Sequence, residues 1–171
     1  MTKGMYHYLR EAWKKPSAGE LRKKLAEWRK STAIERIENP SRLDRARSLG
    51  YKAKPGFVVV RVRLKRGGRM KSRPMGGRRS RRQIRKKVLK QSYQWVAEQR
   101  AARRYRNLEV LNSYWIGKDG IYYFFEVILI DPFHPQIRAD PSLNWICRPA
   151  NQSRAFRGKT SSATKSRELL Q

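Results

Sequence analysis

The chain is 171 residues long and carries 42 Lys+Arg against 13 Asp+Glu, a formal net charge of +29 with a sequence pI near 11.3. That length allows one modest domain, and that charge calls for a polyanionic partner, since self-repulsion disfavours compaction in water. A nucleic acid is the expected polyanion. No apolar run approaches the roughly 20 residues that span a bilayer, the start MTKGMYHYLREAW lacks the apolar stretch of a signal peptide, and the single Cys147 excludes an internal disulfide or a paired-cysteine metal site. These features point to the cell interior, with no membrane and no homo-oligomer expected.

Met5 to Lys14 places Tyr6, Leu9 and Trp13 on one helical face, and Pro16 stops the helix. Ser17 with Glu20 has capping-box spacing, and Leu21, Leu25 and Trp28 follow as the apolar stripe of a second helix. A short third helix is expected to open at Ser41, turn Leu43, Ala46 and Leu49 inward and close at Gly50.

From Phe57 to Lys65 the period changes to two. Val58, Val60, Val62 and Leu64 point one way, while Arg61, Arg63 and Lys65 point the other, predicting a strand with one core face and one phosphate rail. The run Arg61–Lys90 is about half Lys and Arg with no Asp or Glu. Its part from Arg66 to about Arg82 has too few apolar residues to offset ordering entropy and reads as an extended arm, disordered without its partner. Ile84, Val88 and Leu89 begin a helical pattern that resumes at Ser92 and continues through Trp95, Val96 and Tyr105, with Arg100, Arg103, Arg104 and Arg106 outward.

Leu108–Ile116 and Ile121–Ile130, joined by Gly117 to Gly120, predict a hairpin. Its second strand is apolar on both faces apart from Glu126 and should lie centrally under helices. Beyond Asp131 the chain is punctuated by Pro135, Pro141 and Pro149 and is expected to follow a surface. The fold class is therefore α+β: a small, mostly antiparallel sheet covered by helices, with N-terminal helices, a long basic arm and an extended C-terminal tail. The expected divisions are 1–56, a helical and basic segment; 57–146, a core interrupted by the arm at 66–90; and 147–171, the tail.

Guanidinium groups outnumber ammonium groups in the arm, which suits bidentate phosphate contacts and stacking on unpaired bases, and no helix-turn-helix or zinc-finger spacing is present. Folded RNA fits better than duplex DNA. Most aromatic residues are expected to be core anchors, with Tyr51, between Gly50 and Lys52, the best candidate for base stacking. His7 and His134 have no triad or metal spacing, Asp131 and Asp140 each precede a proline as turn residues do, and Gly158-Lys159-Thr160 lacks the opening glycine and strand of a phosphate loop. Neither catalysis nor a cofactor or metal is expected. A DNA-compacting chromosomal protein and an RNA-processing enzyme are the rival classes.

Several ordered segments resemble one family: MYHYLREAWKKP, the stretch Arg47-Ser48-Leu49-Gly50-Tyr51-Lys52-Ala53-Lys54, LNSYW (Leu111 to Trp115) and EVILIDPFH (Glu126 to His134). They are similar to the eukaryotic-type large-subunit ribosomal protein fifteen family of archaea and eukaryotes, over nearly the whole chain, and the arm looks more like archaeal members. The resemblance implies a non-enzymatic α+β protein packed in the large subunit, with extensions between ribosomal RNA helices and contacts to neighbouring ribosomal proteins. It implies RNA contacts at Arg47, Lys52 and Lys54, at Arg61, Arg63 and Lys65, and along the arm from Arg66. Together with the charge reading, the candidate RNA-binding set is Arg47, Tyr51, Lys52, Lys54, Arg61, Arg63, Lys65, Arg66, Arg69, Lys71, Arg73, Arg78, Arg79, Arg81, Arg82, Arg85, Lys86, Lys87, Arg103, Arg104 and Arg157. Departures from the family pattern are Pro55, Gln99 and the carboxyl end, where Arg157-Gly158-Lys159-Thr160, Ala163 and Glu168 stand in place of a Gly-rich basic tail.

Overall fold

A computed structural model of the chain describes residues 3–70, 86–87 and 90–168. Four antiparallel strands form the main sheet in the order β1-β2-β6-β5: β1 is Ile34–Ile37, β2 Phe57–Lys65, β5 Glu109–Lys118 and β6 Tyr122–Ile130. A separate ribbon pairs β3, Arg69–Met70, with β4, Lys86–Lys87. The helices are α1 (Met5–Lys14), α2 (Ala18–Lys30), α3 (Leu43–Ser48), α4 (Tyr93–Arg104), α5 (Pro135–Arg138) and α6 (Ser161–Glu168).

The centre of the sheet is β6, flanked by β2 and β5, because its side chains are apolar on both sides and need cover above and below. Phe125, Val127 and Leu129 face α4 together with Val60, Val62 and Leu64 of β2. Phe124 and Ile128 face the opposite way, onto Leu25 and Trp28 of α2 and Ala46 of α3. A third apolar group, Ile130, Ile137, Leu143 and Ile146, closes the end of the sheet beyond β6. The expected hairpin forms with its turn at Asp119, whose backbone N–H donates to Tyr122 O at 2.9 Å and whose Oδ1 accepts from Ile121 N at 2.7 Å. Two register shifts along β5, at Val110/Asn112 and Trp115/Gly117, mark it as an irregular edge strand.

Local chemistry accounts for several element ends. Ser92 caps α4 by accepting from Trp95 N at 3.3 Å. Gly50, at φ 97°, follows α3 in the left-handed region where glycine carries no Cβ penalty. Ser17 does precede α2, but its side chain makes no cap hydrogen bond, so the capping-box spacing located the helix start without supplying its cap.

Four expectations are corrected. Ile34–Ile37 is a strand that the sequence pattern missed, paired with Val59 to Val62. The face of β2 carrying Arg61 is no open rail, because α2 packs over it. The segment after 147, expected to run extended, folds back: Ala155, Thr160, Ser162, Ala163 and Ser166 are buried, and α6 docks near α4 with the Ser92 N–H donating to Ser166 Oγ at 2.9 Å. Of the arm, Lys86–Lys87 are strand where a helical pattern was expected, and the expectations for 71–85 and 88–89 lie outside the described residues.

Candidate nucleic-acid interface

A basic side chain can serve a nucleic acid only if its charge is presented outward, and the candidate residues divide on this point. Arg61 points into the α2 face, pairs with Glu35 and lies 5.2 Å from the Trp28 ring centroid. Arg63 donates to the Arg29 carbonyl and lies 4.8 Å from the Tyr122 ring. Arg66 donates to Asp119 O and lies 5.0 Å from the Tyr123 ring. These three guanidinium groups brace the sheet through cation–π contacts and backbone acceptors, whereas Lys65 is exposed at the strand end.

Tyr51 is also an internal residue. It is only 9% exposed and packs edge-on against Phe57, with ring centroids 5.6 Å apart, so its ring is not presented to a base. The remaining aromatics largely behave as core anchors: Trp28 and Trp95 are buried, and Trp95 Nε1 donates to Ala155 O at 2.6 Å.

Lys52 and Lys54 meet on one acceptor. Their Nζ atoms lie 2.6 and 2.7 Å from Asp140 Oδ2, and hydrogen bonds from both lysines hold the Asp140 carboxyl well below the usual aspartate range. Asp140 Oδ1 accepts from Ser142 N at 3.0 Å, as a turn aspartate does. The same carboxylate therefore shapes a turn and orders two cations.

Arg47 is exposed on α3, and Arg100, Arg103, Arg104 and Arg106 are exposed along and just beyond α4, as its helical period requires. Arg103 lies 5.8 Å from the ring of Phe156, itself partly exposed. Arg157 is turned back into its own segment, donating to Ala150 O at 2.9 Å and Gln152 O at 3.2 Å. Arg69, Lys86 and Lys87 lie on the small ribbon. Lys71, Arg73, Arg78, Arg79, Arg81, Arg82 and Arg85 lie outside the described residues.

The buried polar groups serve the scaffold. Glu126 accepts from Ser41 N, at 3.2 and 3.1 Å to its two oxygens, and from the Tyr114 hydroxyl. Burial pushes the Glu126 carboxyl above the ordinary glutamate range and raises the Tyr114 hydroxyl as well. Glu98 accepts from Ser113 Oγ and Thr160 Oγ1, and burial raises its carboxyl too. Arg154 spans three carbonyls, Val110, Leu111 and Lys159, at 2.9, 3.0 and 3.1 Å, with its guanidinium 4.7 Å from the Trp145 ring. His134 accepts from Gln136 N through Nδ1 at 3.3 Å, the backbone role expected of a turn histidine.

Among the described residues, no group of three or more His, Cys, Asp or Glu side chains is placed to hold a metal ion, and no helix is long and apolar enough to cross a membrane. What the described surface presents is separated cations on a scaffold whose buried glutamates are hydrogen-bonded internally. Residues 4–171, nearly the whole chain, match the family model described as Ribosomal L15, and the protein therefore belongs to that family of non-enzymatic structural constituents of the large ribosomal subunit.

Proposed function

We propose that the chain binds and stabilises folded large-subunit ribosomal RNA, neutralising phosphates and reading RNA shape while the sheet sets its position among neighbouring ribosomal proteins. The observation that carries this reading is the stretch Arg66–Lys90, with twelve Lys or Arg and no Asp or Glu. Charge of one sign at this density asks for phosphates as counter-charges. The outward arginines of α4 and Arg47 extend the basic surface beyond the arm. Phosphate contacts fix position, and specificity follows from RNA shape and unpaired nucleotides.

The test is to tag the chain in its native cells and sediment separated subunits before and after a moderate salt wash. Stoichiometric migration with the large subunit that survives the wash is expected; migration with chromosomal DNA or as free protein overturns the reading. With purified chain and large-subunit RNA, log affinity should fall with log salt by roughly 0.7 to 0.9 per phosphate contact. Changing Arg78, Arg79, Arg81 and Arg82 to Ala should make that slope shallower and impair subunit assembly while leaving the hairpin folded. Normal incorporation of the quadruple variant would move the main contacts away from the arm.

A further inference from the structure

Phe133 is 67% exposed, more than any other exposed large apolar side chain among the described residues. Its backbone is firmly tied. Asp131 Oδ1 accepts from Phe133 N at 2.9 Å, Asp131 N donates to Gly56 O at 2.9 Å, and Ile137, four residues on, is wholly buried in the apolar group at the end of the sheet. Gly56, at φ 93°, leaves no room for a side chain, since a Cβ there would lie 2.7 Å from Ile137 Cγ1. A ring held outward by a fixed loop keeps apolar surface in water that a partner would cover.

The neighbours of Phe133 indicate the partner's chemistry. Arg138 places its guanidinium 5.6 Å from the ring centroid and is itself fixed by Nε donating to Pro132 O at 3.2 Å. At the other end of the loop Lys52 bonds Asp140 and Ser142 Oγ, and Lys54 bonds Asp140 and Gln136 O. An ammonium has three donor hydrogens, so each lysine keeps one for a further acceptor. An aromatic face and a planar cation on the loop, with two ammonium donors on the 52–54 segment bonded to its far end, match a ligand that has both a π-face and an anion. An apolar pocket on another protein would satisfy Phe133 alone.

We propose that the 131–142 loop receives an unpaired nucleotide of the large-subunit RNA, its base stacking at Phe133 and Arg138 and a phosphate of the same strand accepting from Lys52 and Lys54 of the neighbouring 52–54 segment. Asp140 is then a positioning residue, holding the two lysines in place for the phosphate. This rests on the RNA-binding reading above and names a contact within it.

The test uses large subunits from cells whose only copy of the chain is wild type, Phe133→Ala, Phe133→Leu or Phe133→Trp, probed with a reagent that modifies unpaired bases. The Ala and Leu variants should raise reactivity at one or two unpaired nucleotides about five-fold or more, the low end of what a lost base–aromatic stack costs, while Trp keeps them protected. Loss of the Ala and Leu variants from subunits, with retention of Trp, counts the same way. Leu behaving as wild type, unchanged RNA reactivity in the Ala variant, or loss of all three variants overturns the proposal in favour of an apolar protein contact or a packing role. Failure of the wild-type chain to protect any RNA relative to depleted subunits would instead overturn the RNA-binding reading itself.

Discussion

The hydroxyl of Thr160 donates to Glu98 Oε2 at 2.5 Å, joining the carboxyl-terminal segment to the buried side of α4. Glu98 is fully buried and also accepts from Ser113, so helix, edge strand and final segment converge on one carboxylate. Replacing Thr160 by Val keeps shape and removes a donor. The expected cost is about 1–3 kcal/mol, because a buried carboxyl group loses a hydrogen-bond partner. Thermal melting should show that loss, and limited proteolysis should cleave first within residues 150–168.

Glu126 and Glu98 make stability depend on pH in a defined direction. Burial raises both carboxyl groups in the folded state above their ordinary range. A group of this kind contributes fully below its unfolded pKa, and the contribution is lost as pH rises through the folded value. Stability against urea should therefore fall as pH rises above the ordinary glutamate range, from these two groups. Glu126→Gln retains an acceptor for Ser41 N and should flatten part of the slope. Asp140, lowered by Lys52 and Lys54, acts oppositely and loses its contribution only below the ordinary aspartate range. A urea midpoint that does not change as pH rises above the glutamate range, or the same slope in the Gln variant, would contradict the assignment.

Arg61 and Arg104 test the division between bracing and outward cations. Arg61→Ala removes the Glu35 pair and the Trp28 contact and should cost about 1–2 kcal/mol of stability, with no change in the salt slope of RNA binding. Arg104 is exposed on α4. Arg104→Ala should change stability by no more than about 0.5 kcal/mol and lower the salt slope by roughly 0.7 to 0.9 if it meets one phosphate. Paired melting and salt-titration measurements on the two variants decide this, and the reversed pattern would invert the division.

Local period and composition were enough to place several elements. Alternation located β2 over Phe57–Lys65, continuous apolarity and a glycine-bearing turn located the β5–β6 hairpin, and the stripe of Leu21, Leu25 and Trp28 located α2, because each pattern reports burial over one turn or one pleat. Charge of one sign indicated the class of partner, since no protein core neutralises it. The rest follows from long-range packing. Ile34–Ile37 is too short and too polar to announce a strand until β2 pairs with it. Arg61 looks like a surface cation until Trp28 covers it, and Tyr51 looks like a stacking residue until Phe57 meets its ring. Thr160, Ser162 and Ser166 carry no apolar period, so their burial beside Glu98 and Ser92 follows only from contacts between residues 62 and 74 positions apart in the case of Thr160–Glu98 and Ser166–Ser92. The convergence of Lys52, Lys54 and Asp140 is likewise a long-range event, because a lysine's partner is chosen by which loop the fold brings within reach of its long side chain.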